Sequence, residues 1–201
     1  VFLGALIDFI NRHPKDYTSQ SKNGLQILWI TPLRALAKDI GRAMEEVITE
    51  LGMSWKVGIR NGDTDTSERQ KQKRQMPEVL IITPESLHLL LAQKEYAAIF
   101  QSLKIIAVDE WHELMGSERE VQVELAVSRI VNCQWSMGNG QDAIDNRQLA
   151  IDKGQYAIDN KQSTTIGDQL PIARCPLSLW GISATIGNLD EAKDVLLAPL
   201  K

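Results

Sequence analysis

The stretch Ala107-Val108-Asp109-Glu110-Trp111-His112-Glu113-Leu114 places three carboxylates and an imidazole directly behind the apolar run Ile105-Ile106-Ala107-Val108. An Asp at the end of a buried strand can hold a hydrated Mg²⁺ that bridges nucleotide phosphates, and an adjacent Glu can orient or deprotonate an attacking water. Asp109 and Glu110 stand in those positions. Neighbouring strand residues point to opposite faces, so a bend at the strand end has to bring both carboxylates to one phosphate. The bland alternative is carboxylates complementing a helix dipole, with His112 as a capping or packing residue. Zinc is disfavoured. An HExxH site needs a second His where Gly116 stands, and neither His13 nor His88 has ligand spacing to His112. A Mg²⁺-dependent nuclease using Asp109, Glu110 and Glu113 lacks a further carboxylate set on another strand end.

The elements that would position these groups are legible as short apolar runs alternating with longer helical patterns. Gln26 to Ile30, Trp55 to Ile59, Val79 to Ile82, Lys104 to Val108 and Leu177 to Ile182 read as strands, several apolar enough to be buried on both faces. Val1 to Asp16 reads as helix. Leu36, Ile40, Met44, Val47, Ile48 and Leu51 recur at spacings of three and four and predict one apolar stripe over Leu33 to Leu51. Glu85 to Gln93 and Val121 to Val131 show similar patterns. Such alternation predicts an α/β fold with an open, mostly parallel sheet flanked by helices. Ligands in such sheets sit outside the carboxyl ends of the strands. All five runs end in hydroxyl or carboxylate residues: Thr31-Pro32, Asn61-Gly62-Asp63-Thr64, Thr83-Pro84-Glu85, Asp109-Glu110 and Ser183-Ala184-Thr185. Any one of these is ordinary helix-capping chemistry; five together suggest a site.

Composition sets the outer limits. The chain has 201 residues, 43% of them hydrophobic and 24% charged, which fits a globular class able to bury a sizeable core as one domain. No apolar run reaches the roughly 18 residues of a membrane span, and the beginning lacks the basic flank of a secretory signal. Cys133 and Cys175 form no CxxC, which suits a reducing cytoplasm. A formal net charge of −4 argues against a uniformly basic nucleic-acid binder but permits a local basic face. The run Arg69-Gln70-Lys71-Gln72-Lys73-Arg74 is expected to be a solvated helix face. Between Gln134 and Pro176 the pattern breaks into QDAIDNR, QLAIDKG and QYAIDNK, with Gln141, Gln148, Gln155 and Gln162 in register. Each unit lacks the second apolar position of a coiled-coil heptad, so a turn-flanked surface insertion is the expectation.

In order along the chain, TPLRALAKDI, Gly62-Asp63-Thr64, Thr83-Pro84-Glu85-Ser86-Leu87, VDEWHELMGSER and LWGISATIGNL resemble the motifs of superfamily 2 DExH-box helicases. More narrowly they are similar to the large helicase-related, Lhr-like group and its DNA-ligase-associated bacterial branch. The resemblance covers nearly all the chain outside the 134–176 segment. It implies the first RecA-like domain of an ATP-dependent DNA helicase that moves 3′ to 5′ on single-stranded or partially duplex DNA, with roles in DNA repair. It also implies ATP and Mg²⁺ as cofactors, a DNA ligase and a nuclease as partners, and no membrane. By the family pattern Asp109 holds Mg²⁺, Glu110 is the catalytic base, and His112 couples the nucleotide site to Ser183, Ala184 and Thr185. Thr31, Pro32, Arg34, Gly62, Asp63, Thr64, Thr83, Pro84 and Glu85 line the DNA backbone, where hydroxyls, helix-start amides and one Arg can grip phosphates without reading bases.

The departures carry equal weight. The family's phosphate loop, GxxxxGK[ST], has no counterpart in the sequence, and Val1 to Asn11 resembles the helix that follows that loop. The chain is therefore expected to be N-terminally truncated, to lack the second RecA-like domain, and to be inactive alone. Glu120 stands where the family's Ser-Glu-Arg-Gly would have its Gly. A different class also fits: a catalytically dead nucleic-acid-binding or scaffold module that kept the fold and uses the AIDN repeats for interaction.

Overall fold

The computed structural model describes residues 1–134, 177–183 and 195–196. The 135–176 part of the expected insertion, together with Ala184 and Thr185, lies outside the described residues. Five parallel strands form one sheet in the order β2-β3-β1-β4-β5: β1 Ile27–Ile30, β2 Val57–Arg60, β3 Val79–Ile82, β4 Ile105–Val108 and β5 Ser178–Gly181. Each falls within a predicted run or overlaps it by most of its length. β1 and β3 are buried along their whole length, as their uninterrupted Ile, Leu, Val and Trp residues require.

Helices α1 (Phe2–Arg12) and α2 (Arg34–Glu50) cover one face, where Ala5, Leu6, Phe9, Met44 and Ile48 join Trp29, Ile81 and Ala107 in one apolar cluster. α3 (Thr66–Arg74) follows β2, and the other face carries α4 (Pro84–Leu91), α5 (Tyr96–Phe100), the single turn α6 (Trp111–Leu114) and α7, helical over residues 118–134. There Leu87, Phe100, Trp111, Val123, Val127 and Ile130 pack on Leu28, Leu80 and Ile106. The buried line of α2 runs Ala37, Gly41, Met44, Ile48, with Leu36, Ile40 and Val47 at its margins. The expected stripe is thus rotated towards its smaller residues, for a steric reason. A Cβ on Gly41 would come within 3.2 Å of Ile59 and 3.4 Å of Ile81, so the helix axis lies close to the sheet.

β1 and β4 are hydrogen-bonded neighbours, pairing Trp29 with Ala107 and Ile30 with Val108. The chain leaves β1 into α2 on one face and leaves β4 towards α7 on the other. Such a divergence opens a crevice at the carboxyl ends of the two strands. Asp109 stands at its rim. Among the described residues no helix is long and apolar enough to cross a membrane.

Candidate active site

The acidic segment is fixed from below and turned from within. Trp111 and Leu114 are buried in the core, so the intervening His112 and Glu113 face outward. Asp109 N–H donates to the Ile30 carbonyl at 2.8 Å, continuing the ladder one residue past the strand. Glu110 then adopts φ 50° and ψ 44°, a left-handed conformation rarely taken by a residue with a side chain. Holding it costs roughly 1–3 kcal/mol. That turn supplies the bend that strand alternation demanded. It lets Glu110 N–H donate to Asp109 Oδ1 at 3.0 Å and points the Glu110 carboxylate along the site.

His112 joins the segments. Its Nδ1 lies 2.9 Å from Ser183 Oγ and 3.4 Å from Glu110 Oε2, and its Nε2 lies 3.4 Å from Glu113 Oε1. A neutral ring donating through Nε2 to Glu113 accepts the Ser183 hydroxyl at Nδ1; the other tautomer donates towards Glu110. Backbone bonds fix this approach: Ile182 N–H donates to Val108 O at 2.8 Å, and Trp111 N–H donates to Ile182 O at 3.0 Å. Glu110, His112 and Ser183 therefore form one continuous chain of contacts between the ends of β4 and β5.

The structure adds a residue that motif reasoning passed over. Trp29 Nε1 donates to Asp109 Oδ2 at 3.2 Å. The small Ala107 pairs with Trp29 in the ladder and leaves the indole room to reach Asp109, the next residue on the same face, just past the end of β4. The available signal was a Trp inside a strand buried on both faces, since a buried indole N–H usually finds an acceptor. Asp109 thus has one oxygen on a backbone amide and the other on an indole, an orientation that suits a hard cation reached at the remaining lone pairs. Among the described residues no three His, Cys, Asp or Glu side chains converge as a metal cage. A single oriented carboxylate fits Mg²⁺ shared with nucleotide phosphates, the cation's usual manner of binding.

The proposed nucleic-acid residues divide into two groups. Thr31, Pro32, Thr83 and Pro84 are buried. The Thr31 hydroxyl accepts from Leu33 N–H at 3.4 Å, and the Thr83 hydroxyl donates to Ser86 Oγ at 3.1 Å, so these side chains shape turns. Arg34, Gly62 and Asp63 are exposed, with Arg34 Nη1 3.3 Å from Asp63 Oδ1. A Cβ on Gly62 would meet the Arg34 guanidinium at 3.0 Å, so the missing side chain lets the two loops touch. Between them lies a groove of about 590 Å³ bordered by Arg34, Lys38, Asn61, Thr64 and Lys71. The 61–64 loop holds itself: Asn61 Oδ1 accepts from Asp63 N–H and Thr64 Oγ1 accepts from Asn61 N–H, both at 2.9 Å.

The basic run is only partly a solvated face. Lys71, Lys73 and Arg74 are exposed, but Arg69 donates to the carbonyls of Thr64 and Asn61 at 2.9 Å each, and Gln72 is buried with its amide on Ile59 O. Arg69 is a latch on the loop, because its fork reaches back to carbonyls that have no helical partner.

Glu85 and Glu120 also gain physical accounts. Glu85 accepts from Arg119 Nε at 2.8 Å. Burial raises the Glu85 pKa, but its own backbone N–H, the Arg119 charge and hydrogen bonds from Arg119 and Thr83 outweigh it and hold the carboxyl below its ordinary 4.5. A depressed folded pKa contributes stability that is present above the unfolded value and lost as pH falls through the folded one. Glu85→Gln is therefore expected to flatten the acid side of a urea-stability profile below that ordinary value. The pair is half exposed, so the change at neutral pH is less than about 1 kcal/mol. Glu120 reaches back to accept from Gly116 N–H, while Ser117 precedes the helical residues. Glu120 thus satisfies an amide just before α7 as the Glu of a capping box does, while the Ser117 hydroxyl bonds the Leu114 carbonyl instead of an amide of the helix. Glu120 in turn stands near Glu124, whose pKa is raised first by burial and then by that charge.

A parallel sheet bearing a carboxylate pair at its switch point, with a histidine bridging to the next strand end, defines the RecA-like class of nucleotide-binding domains. The family model described as DEAD/DEAH box helicase matches residues 1–141, and the chain belongs to that family. The ATP-dependent helicase Lhr-Core protein 2 of Thermococcus barophilus is 34% identical over 118 residues, 54% of this chain and 14% of that protein. The Lhr helicase/uracil glycosylase of Escherichia coli is 33% identical over 115 residues, 52% of this chain and 7% of that protein. The chain thus spans a small part of these curated relatives. Among solved structures, the helicase Lhr of Mycobacterium smegmatis bound to ssDNA and AMP-PNP superimposes with a TM-score of 0.62 at 25% identity, covering 97% of this chain and 21% of that one. The DUF1998 helicase MrfA bound to DNA and AMPPNP shares the fold at a TM-score of 0.61 and 22% identity, covering 94% of this chain and 21% of that one.

Proposed function

We propose that the protein carrying this chain is an ATP-dependent DNA helicase that moves 3′ to 5′ along a single strand in DNA repair, in the cytoplasm. The observation that carries this reading is the side-chain path from Glu110 through His112 to Ser183, which gives a hydrolytic carboxylate a mechanical outlet. Kinship with Lhr helicases, one of which is solved with ssDNA and AMP-PNP, supports ATP and a single strand as ligands. The likeness of VDEWHELMGSER to the DNA-ligase-associated branch supports repair, with a ligase and a nuclease as partners. Bound Mg²⁺·ATP supplies the electrophilic γ-phosphate and neutralises its charge. Asp109, oriented by Trp29, would hold the cation. Glu110 takes the proton of the attacking water on its carboxylate. Arg34, the Gly62 amide and the start of α4 meet the phosphodiester backbone.

The sequence contains no GxxxxGK[ST], so the 201-residue chain by itself is expected to show negligible DNA-stimulated ATP turnover. Robust turnover by that polypeptide would overturn this expectation. In the full-length protein, ATP hydrolysis stimulated by oligothymidylate and unwinding of a 3′-tailed, but not a 5′-tailed, duplex are the expected results. DNA binding with neither activity would establish the catalytically dead module instead.

A further inference from the structure

Trp29, Trp55 and Trp111 are all buried, yet their indole N–H groups have different fates. Those of Trp55 and Trp111 have no hydrogen-bond partner, whereas Trp29 Nε1 donates to the Asp109 carboxylate at 3.2 Å. Burial alone therefore does not account for the pairing. The Trp29 ring belongs to the apolar cluster between the sheet and helices α1 and α2, flanked in register by Ile81 of β3 and Ala107 of β4. Close packing leaves such a donor little freedom to follow a moving acceptor.

The carboxylate it meets is held from two directions. Asp109 Oδ1 accepts from Glu110 N–H at 3.0 Å along its own backbone, and Oδ2 is held from the neighbouring strand. Asp109 is only half-buried, so the rest of the group stays open to the crevice. Glu110 directs its carboxylate towards His112 Nδ1 at 3.4 Å, and among the described residues no three His, Cys, Asp or Glu side chains converge. On the ATP reading, discrimination between cations at this strand end then falls to Asp109. Mg²⁺ demands a near-ideal octahedron at about 2.0–2.1 Å, which the narrow bite of a chelating carboxylate distorts, whereas Ca²⁺ accepts both oxygens of one carboxylate at about 2.3–2.6 Å. Chelation requires Asp109 to turn both oxygens towards one ion. The indole opposes that turn by holding Oδ2.

We propose that Trp29 is a specificity-determining residue for the cation of the nucleotide site: its indole N–H restricts Asp109 to a one-oxygen contact and so favours Mg²⁺ over Ca²⁺. The proposal rests on the ATP reading above and assigns the choice of cation to a residue of β1 outside the acidic segment. Trp29 acts through Asp109, as a positioning residue. Losing the donor also changes the basicity and mobility of the carboxylate, but those changes affect both cations alike. The ratio of the two affinities isolates the effect of how many oxygens Asp109 offers.

The test uses the full-length protein and a fluorescent, non-hydrolysable ATP analogue, with affinity measured for its Mg²⁺ complex and for its Ca²⁺ complex. The unaltered protein is expected to prefer the Mg²⁺ complex. Trp29→Phe, which keeps an aromatic ring but no donor, should reduce that preference about tenfold, the lower end of the effect of removing a group that holds a metal-binding side chain. Benzothienylalanine at position 29 replaces the indole N–H by sulfur in a ring of the same shape, and it should reduce the preference equally. Equal affinity for the two complexes in the unaltered protein, or an unchanged ratio in Trp29→Phe, would overturn the proposal. A reduced ratio in Trp29→Phe but not with the sulfur ring would assign the effect to ring volume and overturn it as well. Failure of the unaltered protein to bind the analogue with either cation would overturn the ATP reading itself.

Discussion

Glu110→Gln in the full-length protein should reduce ATP turnover by about two to four orders of magnitude while leaving nucleotide affinity nearly unchanged. Gln keeps the length and shape of the side chain, so the left-handed turn at Glu110 and the amide bond to Asp109 Oδ1 are retained. What is lost is the ability to accept a proton. Asp109 is oriented independently, by Trp29 Nε1 and the ladder bond to Ile30, so cation binding should persist. Rapid-quench measurement of ATP hydrolysis beside equilibrium nucleotide binding separates the two effects. Turnover near the unaltered rate would remove Glu110 from the role of base. A parallel fall in both quantities would instead mean that the substitution disturbs the whole strand end.

The strands were readable because burial on both faces leaves little choice of residue. Val79 to Ile82 and Ile105 to Val108 are apolar at every position, and both form strands at those bounds. The position of Asp109 followed, since polar residues in such a sheet gather at the carboxyl ends. What stayed hidden depends on backbone dihedrals or on contacts between distant segments. Nothing in the order Asp-Glu-Trp reveals that Glu110 turns left-handed, because the turn follows from anchoring Trp111 in the core while Asp109 remains on the ladder. Trp29 and Asp109 are 80 residues apart and meet only because β1 and β4 are neighbours. Arg69 looked like one more charge in a run; its latch on Asn61 and Thr64 requires the helix to fold back on the preceding loop. Likewise the rotated stripe of α2 reflects a close approach allowed by Gly41, which hydrophobic periodicity alone does not weigh.

On the proposed reading, adjacent residues have distinct duties. Asp109 is held by two donors, and on the proposed reading it serves cation binding. His112, half-buried, touches a carboxylate on each side and the hydroxyl of another segment, so it is placed to sense what happens at Glu110. The family resemblance makes Ser183, Ala184 and Thr185 the segment that His112 couples to the nucleotide site, and the His112–Ser183 contact is the part of that pairing among the described residues.

His112→Ala and Ser183→Ala should therefore uncouple hydrolysis from strand separation in the full-length protein. Each substitution removes one end of the 2.9 Å contact but leaves Asp109 and Glu110 and their backbone bonds in place. Nucleotide binding and basal turnover should persist. DNA stimulation of turnover, and the unwinding rate per ATP consumed, should fall roughly 5- to 150-fold, the range of a coupling free energy of about 1–3 kcal/mol. Because both act through one contact, the double variant should be no worse than the weaker single variant. Additive losses would mean that the two residues serve separate paths. Loss of basal turnover in Ser183→Ala alone would place the hydroxyl in the hydrolytic site and leave His112 without a partner to signal to. The ring's contact with Glu110 is longer, at 3.4 Å, than its contact with Ser183, so the weaker link in the path is the one nearest the phosphate. Tightening of that link on nucleotide binding is the physical event the path requires, and a downfield shift of the His112 Nδ1 resonance on adding a non-hydrolysable nucleotide would report it.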